Sequence, residues 1–340
     1  MKKILLGILI VLVVAAGVFL YGGYRMFGDE LTAIQSIKEV REGVYTLTYK
    51  GDYGFKGFLE QGGAKTDAQM AEYIAGFLSH GYVKTKLTTP EGGCTTVTGN
   101  GLFARNFDWE PAANYIIIRT EPADGYASIA TSNLAFMGFG DNWHPETMTQ
   151  KFMALATVYV PLDGMNEKGL CVADLVEIDG NTNVPDTPRP DLTIVGAIRL
   201  VLDYAANVDE AVKLLADYDV FPSVGRMHHL SLSDRNGKSV VVEWKDGVLT
   251  ATPTSIVTNH CLAEERENEN TGESHRRFDM LAAGFLPLTD SQQAQQAIEA
   301  ASYEDATLWS VVYDQQALTA THYFGCKWEE ALVNTLNIEH

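Results

Sequence analysis

The chain has 340 residues, 46% of them hydrophobic, so it is long and apolar enough to bury one large core. It carries 44 acidic against 25 basic side chains, a formal net charge of -19 that argues against nucleic acid or an anionic membrane surface as its partner. Its four cysteines have no C-x-x-C spacing, which argues against a zinc site and leaves open which of them are free; they are Cys94, Cys171, Cys261 and Cys326.

The N-terminus predicts a membrane segment. Lys2 and Lys3 precede the uncharged stretch ILLGILIVLVVAAGVFLYGGY, which is long enough to cross a bilayer as a helix. A cleaved signal peptide starts in the same way, but no A-x-A-like cleavage site follows, so the pattern favours an uncleaved anchor over residues 1–28. We therefore expect the rest of the chain at the extracytoplasmic face of the membrane, or secreted if the segment is removed.

The next elements all precede Cys94. Residues 43–63 alternate aromatic or β-branched side chains with polar ones and predict a strand pair. Residues 66–82 open with a Thr-Asp cap and predict a helix that ends at Gly81. From Cys94 onwards, short strands separated by Gly, Asn and Asp turns are predicted within residues 94–108, 114–122, 126–132 and 152–176.

The second half of the chain mixes helices and strands. Residues 191–218 predict two amphipathic helices divided near Asn207 and Val208, and residues 228–260 predict a β-meander with tight turns at Asn236-Gly237 and Asp246-Gly247. Strand alternation predicts that one of His228 and His229 points inward and the other outward, without further ligands for a metal. Helices are predicted within 274–285 and 290–301 and a last strand pair within 307–325. Such runs of strands and of helices indicate an α+β fold.

The stretch PEGGCTTVTGNGLFARNFDW at residues 90–109 carries the chemistry. Arg105 lies one short hairpin after Cys94, and a nearby positive charge favours a thiolate. Asp108 would hinder that thiolate, so it is better explained as the partner of an α-amino group. We therefore predict a cut between Gly93 and Cys94, after which the α-amine of Cys94, with an ordinary pKa of about 7.7–8.0, can act as general base.

Four segments in this order resemble the choloylglycine hydrolase type of N-terminal-nucleophile (Ntn) hydrolases. These hydrolases include bile salt hydrolases, penicillin V acylases and, more distantly, acid ceramidase and isopenicillin N acyltransferase. The segments are GGCTTVTGNGLFARNFDW, DGMNEKGLCVADL, DRNGKSVVVEWKDGVLTATPTSIVTNH and SHRRF, and the resemblance covers roughly residues 94–335. It implies a four-layer αββα sandwich, an amide substrate with an apolar acyl part, and no metal or cofactor.

The resemblance also implies roles for single residues. Val176 replaces an Asn of bile salt hydrolases, and penicillin V acylases also lack that Asn, so the backbone N–H of Val176 is the expected oxyanion donor. The other expected roles are Cys94 as nucleophile, Arg105 against the thiol, Asp108 on the α-amine, Asn259 as side-chain oxyanion donor and Arg277 as the second active-site arginine. Trp109, Phe136, Met137 and Phe139 are candidates for an acyl pocket, but we interpret them as ordinary core.

The predicted organisation is an anchor or signal peptide over 1–28, a pro-segment over 29–93 and a catalytic domain over 94–340. The predicted reaction is hydrolysis of linear amide C–N bonds in N-acyl amines or amino acids. Two alternatives stay open: an acyltransferase, in which an amine accepts the acyl group, and a membrane-anchored binding module that never cuts itself. The sequence leaves the particular amide and the oligomeric state open.

Overall fold

A computed structural model describes residues 27–78, 92–110, 113–137, 140, 142–178, 184, 187–223, 225–245, 247–263 and 272–336. Nearly all of the predicted anchor, residues 1–28, lies outside these ranges, as do residues 79–91 and Phe139. In the ranges described, no helix is both long enough and apolar enough to cross a membrane.

The strands and helices alternate along the chain in short runs. The strands are β1 (Lys38–Arg41), β2 (Val44–Lys50), β3 (Gly92–Gly99), β4 (Leu102–Trp109), β5 (Tyr115–Glu121), β6 (Ser128–Asn133), β7 (Asp163–Asn166), β8 (Cys171–Val176), β9 (Asp191–Thr193), β10 (Asp219–Phe221), β11 (His228–Ser233), β12 (Ser239–Lys245), β13 (Val248–Pro253), β14 (Ile256–Val257), β15 (Thr307–Asp314), β16 (Thr319–Phe324) and β17 (Leu332–Thr335). The helices are α1 (Phe55–Glu60), α2 (Asp67–Leu78), α3 (Met148–Ala154), α4 (Ile194–Tyr204), α5 (Val208–Leu215), α6 (Glu273–Gly284) and α7 (Ser291–Ala300), with 3-10 helices at Leu134–Met137 and Leu155–Tyr159. Residues 27–36 are helical as well.

Two large sheets face each other. Within the described ranges, one has nine strands in the order β1-β2-β5-β6-β7-β8-β11-β12-β13, and the other has six in the order β14-β3-β4-β15-β16-β17. Thr96 Oγ1 donates to Ser231 Oγ across the gap between them at 2.9 Å. Helix α4 packs against β7 and β8, and α7 packs against β3 and β4. The layers are therefore helix, sheet, sheet, helix, as expected for an α+β fold of this type.

Strand β4 shows how alternation builds this sandwich. Phe103 and Phe107 belong to the large apolar cluster between the sheets, whereas Leu102 and Ala104 join a smaller cluster with Leu281 beneath the helices. Successive side chains of a strand point to opposite faces, so a strand covered on both sides is apolar on both. Cys94 pairs with Phe107 in the β3–β4 hairpin and shares its face, which places the thiol between the two sheets.

Several predicted elements are confirmed, and two are wrong in part. The helix pair is present, with Asn207 capping α5 through a bond from the Glu210 N–H. Residues 43–63 form one strand and then helix α1, because Gly51 and Gly54 adopt φ of 96° and 81° and interrupt the extended chain. The predicted strand run 152–176 starts with α3 and a 3-10 helix.

The meander and the His pair also differ from the predictions. The turn at Gly237 is present and Asp246 lies outside the described residues, but β14 leaves the nine-stranded sheet and joins the six-stranded one. His228 and His229 are both buried, at 5% and 0% exposure, because the sheet is covered on both faces. The two side chains point to opposite faces of the sheet, as alternation predicts, but the one predicted to point outward is buried as well.

Strand β2, which lies ahead of Cys94 in the chain, is part of the core, and this can be tested. Leu47 in β2 is 1% exposed, so we expect Leu47→Ala to lower the free energy of unfolding by about 2–5 kcal/mol. The matched control is Val333→Ala, at 59% exposure, where a change of about 0.5 kcal/mol or less is expected. Urea unfolding is measured in a Cys94→Ala background, so that the predicted cut cannot occur and the protein remains a single chain. Equal effects of the two substitutions would contradict the assignment of β2 to the core.

Candidate active site

Cys94 lies at the centre of the site. Its side chain is 2% exposed, and Arg105 Nη2 lies 3.5 Å from Sγ. Its backbone N–H donates to Asn259 Oδ1 at 3.1 Å, and its carbonyl accepts from Arg277 Nη1 at 2.8 Å. The thiol and both backbone polar groups of this residue are therefore held by three of the side chains that the sequence singled out.

Arg105 is a fully buried cation held by two carboxylates. Its Nη1 lies 2.6 Å from Asp163 Oδ2 and also donates to the Leu162 carbonyl. Its Nη2 donates to Asp174 Oδ1 at 3.1 Å and to the Asp174 carbonyl at 2.8 Å. The guanidinium carbon lies 5.1 Å from the centre of the Phe107 ring. This set of contacts fixes the end of the side chain that faces the thiol.

Burial outweighs Arg105 in setting the acidity of the thiol. Removal from water raises the pKa of Cys94 to about 12, and the charges of Asp174 and Asp108 act in the same direction. Arg105 lowers the pKa of Cys94, but not enough to offset burial. In the continuous chain the thiol is therefore protonated at neutral pH, and attack by sulfur requires a base that takes its proton.

Asp108 presents one unsatisfied carboxylate oxygen. Thr307 Oγ1 donates to Oδ1 at 2.6 Å, whereas Oδ2 is buried without a hydrogen-bond partner among the described residues. Arg277 Nη1 lies 3.8 Å from Oδ2. Burial raises the pKa of Asp108 to about 6, against the lowering effects of Arg277 and Thr307. The β3–β4 register puts Asp108 directly across from Gly93, next to the predicted cut.

Arg277 orients the amide of Asn259. Arg277 Nη2 donates to Asn259 Oδ1 at 2.7 Å, and its Nη1 bonds Thr95 Oγ1 as well as the Cys94 carbonyl. Asn259 Nδ2 then faces the other way and donates to the Val176 carbonyl at 2.9 Å. The backbone N–H of Asn259 donates to Ser274 Oγ at 2.8 Å, so both ends of this residue are fixed.

The Val176 N–H points to the same side as Asn259. The Glu177 N–H donates to the Met227 carbonyl of the segment that leads into β11, so the neighbouring Val176 N–H must point away from that strand. The Val176 carbonyl, on the same edge, accepts from Asn259. The two predicted oxyanion donors therefore lie on one edge of β8.

A largely apolar pocket lies at Cys94. Trp109 and Phe136 line it, so our interpretation of these two as ordinary core is incomplete; Met137 does not line it. Its full lining is Asp67, Cys94, Phe107, Asp108, Trp109, Phe136, Val160, Leu162, Asp174, Val176, Val195, Ser223 and His228. Among the residues that the structure describes, no group of three or more His, Cys, Asp or Glu side chains is arranged to hold a metal ion.

The structure brings together the side chains that the sequence singled out and adds others. The sequence analysis gives no role to Asp163 and Asp174 in the segment DGMNEKGLCVADL, although acidic residues inside apolar strands are a usable signal. Sequence reasoning weighs His228 only as a metal ligand, whereas its Nδ1 lies 2.9 Å from Asp174 Oδ2. Asp67, from the segment ahead of Cys94, also lines the pocket and accepts from Ser223 Oγ at 2.9 Å.

Two helix-covered sheets with a cysteine between them, beside a buried arginine and an unsatisfied carboxylate, are typical of Ntn hydrolases. The model of the acyl-coenzyme A:6-aminopenicillanic acid acyl-transferase family matches residues 95–328, and the chain belongs to this family. The resemblance to the choloylglycine hydrolase type is thereby confirmed.

Similar proteins include two penicillin V acylases and a conjugated bile acid hydrolase. The penicillin V acylase of Pectobacterium atrosepticum is 37% identical over 95 residues, so the match spans 25% of this chain and 25% of that protein. The conjugated bile acid hydrolase of Clostridium perfringens shares the fold, with a TM-score of 0.50, 16% identity, and coverage of 73% of this chain and 93% of that one. The penicillin V acylase of Agrobacterium tumefaciens has a TM-score of 0.47 at 19% identity, covering 68% and 82%.

The ionised carboxylate of Asp108 should lower the free energy of unfolding of the uncut chain. Because the pKa of its carboxyl rises from 3.8 to about 6 on folding, the folded chain binds this proton more tightly than the unfolded chain, and ionisation costs stability as the pH rises through that window. In a Cys94→Ala background, Asp108→Asn should therefore raise the free energy of unfolding by about 1–3 kcal/mol at pH 8, and the gain should fade towards pH 4. Exposed Asp217→Asn is the control. Destabilisation by Asp108→Asn at pH 8 would contradict this interpretation of the carboxylate.

Proposed function

We propose that the chain is a cysteine Ntn amidase that cuts itself between Gly93 and Cys94 and then hydrolyses linear amide C–N bonds. One observation carries the proposal: the N–H of Cys94 is held by Asn259, its Sγ is contacted by Arg105, and the Asp108 oxygen across the hairpin has no partner among the described residues. Membership of the acyl-transferase family supports the same chemistry.

The first step is the cut. Sγ attacks the Gly93 carbonyl carbon, the Gly93–Cys94 C–N bond breaks, and the nitrogen of Cys94 leaves as an amine that takes the thiol proton. Water then hydrolyses the Gly93 thioester, which releases a carboxylate and frees Sγ. Asn259 Oδ1 already accepts from the nitrogen that leaves, and Asp108 Oδ2 offers an acceptor for its additional hydrogens.

Turnover uses the amine that the cut creates. The α-amine of Cys94 takes the Sγ proton, Sγ attacks the substrate carbonyl, and the amine of the substrate leaves with that proton. We propose that Asn259 Nδ2 and the Val176 N–H hold the oxyanion, once Nδ2 exchanges its bond to the Val176 carbonyl for a bond to the substrate. The loss of one such donor lowers the rate by roughly 10²–10³. Water finally hydrolyses the acyl thioester.

The pocket indicates the class of substrate. Its lining is mainly aromatic and aliphatic, with Phe107, Trp109 and Phe136 on one wall, which suits an apolar acyl group better than a charged one. The similar proteins are named as a penicillin V acylase and a conjugated bile acid hydrolase. We propose an N-acyl amine or N-acyl amino acid as substrate. An acyltransferase, the activity in the family description, is the second candidate.

The segment ahead of the cut should stay attached afterwards. Strand β2 pairs with β5 in parallel over its whole length, and Tyr53 Oη donates to the buried Asp203 Oδ2 at 2.6 Å. Arg41 Nη2 donates to the Ala331 carbonyl at 3.0 Å. We propose that residues 29–93 remain bound as a pro-segment and that the segment over 1–28 holds both fragments at the extracytoplasmic face of the membrane.

Self-processing is the primary test. Intact mass and N-terminal sequencing of the wild type should give a fragment that starts Cys-Thr-Thr, and Cys94→Ala should remain one chain of 37.3 kDa. Cys171→Ala, another buried thiol outside the pocket, is the control and should be cut normally. An uncut wild type would contradict the proposed cut and favour the binding module.

Assays of the processed protein then distinguish hydrolysis from acyl transfer. Incubation with N-acyl amides should release the free acid, and alkylation of Cys94 should abolish that release. An added amine distinguishes the candidates, because an acyltransferase forms the new amide in place of the acid. Processed protein that attacks no amide in either assay would contradict the proposed activity.

Membrane retention gives a separate prediction. Because the contacts of β2 and Tyr53 with the catalytic part are buried, a mild salt wash of membranes should leave both fragments bound. The control is carbonate extraction of the same membranes. This treatment removes peripheral proteins, and we expect both fragments to remain in the membrane after it. Release of only the heavy fragment by salt would contradict the proposed attachment.

A further inference from the structure

His228 is a buried pocket residue with one unused ring nitrogen. Its side chain lines the pocket at 5% exposure, and Nε2 has no hydrogen-bond partner in the part of the chain that the structure describes. The adjacent His229 differs, because its Nδ1 faces Glu243 at 3.2 Å and its Nε2 faces the Thr258 carbonyl at 2.6 Å. Buried polar atoms are nearly always paired, so the unused nitrogen points to a partner that the pocket receives.

The ring of His228 is oriented by the network that holds the thiol. Asp174 Oδ2 lies 2.9 Å from His228 Nδ1, while the other oxygen of this carboxylate binds Arg105. A carboxylate facing Nδ1 requires a hydrogen on that nitrogen, so Nε2 is the ring atom left for a ligand. On the opposite sheet, Trp109 also lines the pocket, and its indole N–H is likewise buried without a partner within the described ranges.

We propose that His228 is a specificity-determining residue that hydrogen-bonds a hydroxyl group on the acyl part of the substrate. A hydroxyl donates to a bare Nε2 and accepts from a protonated one, and its lone pairs also suit a donor such as the indole N–H. An unsubstituted hydrocarbon leaves Nε2 buried and unpaired, which a pocket of this kind discriminates against. The inference rests on the proposed function in one respect, that the pocket receives the acyl group.

Equilibrium binding tests the assignment without turnover. The probes are decanamide and its isomers with a hydroxyl at successive chain carbons, titrated calorimetrically into the full Cys94→Ala chain. One isomer should bind about tenfold more tightly than decanamide. Adding His228→Leu should remove this preference, and His228→Gln, which keeps a hydrogen-bonding group, should retain part of it. Val195→Ala changes another residue that lines the pocket, and it should change the affinity for every probe by the same factor.

Equal binding of decanamide and every isomer would overturn the proposal, and so would a preference that survives His228→Leu. Failure of all these probes to bind would overturn it as well, because the pocket would then receive no acyl chain.

Turnover separates this inference from the proposed function. The anilides of the same acids are offered to the processed wild type and to processed His228→Leu. A loss of kcat/KM confined to the hydroxylated anilide supports the assignment, whereas an equal loss for both anilides makes His228 a positioning residue for Asp174 and overturns it. If binding shows the preference but no anilide is hydrolysed, the proposed reaction fails and the role of His228 stands. If the anilides are hydrolysed without any preference, the proposed reaction stands and the role of His228 fails.

Discussion

The rest of the site depends on the buried ion pairs of Arg105. The guanidinium comes from β4 in the six-stranded sheet, and its carboxylate partners, Asp163 and Asp174, come from β7 and β8 in the nine-stranded sheet. The pairs therefore connect the two sheets at the level of Cys94. Loss of Arg105 would leave its buried carboxylate partners without their cation, and breaking a buried pair in this way typically costs about 3–5 kcal/mol. Asp163 is itself fixed by bonds from Trp309 Nε1 and Tyr313 Oη, so neither charge can move without disturbing the core.

This compensation decides how the thiol behaves. A free cation 3.5 Å from sulfur would favour the thiolate, but the charge of Arg105 is already balanced by Asp163 and Asp174. Burial then dominates, and the pKa of Cys94 rises to about 12. The arginine therefore positions the sulfur more than it activates it. In the proposed turnover, activation comes from the α-amine, which exists only after the chain is cut, so the continuous chain lacks the base that attack on a substrate uses.

The sequence predicts the local parts of this arrangement and misses the distant ones. The TGNG turn and the strand alternation around it predict the hairpin that joins Cys94 to Arg105, and the family resemblance predicts Asn259 and Arg277. Asp174 and His228 are in contact because β8 pairs with β11. These strands lie more than fifty residues apart in the chain, and no local sequence pattern indicates their register. Helix α1 differs from the prediction for another reason: it has only six residues, so its one pair of helically spaced aromatic residues, Phe55 and Phe58, is too short a pattern to indicate a helix before their packing into the core is known.

The continuous chain carries an electrostatic cost that the proposed cut would relieve. Asp108 Oδ2 is buried without a hydrogen-bond partner among the described residues, and the pKa of this carboxyl is raised to about 6. Before the cut, the nitrogen of Cys94 has one hydrogen, which Asn259 Oδ1 already accepts. The cut converts this nitrogen into an amine with further hydrogens and, when protonated, a positive charge. A cation beside an ionised, desolvated carboxylate lowers the free energy of both groups, so the pairing stabilises the product relative to the precursor. The same carboxylate that destabilises the precursor therefore favours processing.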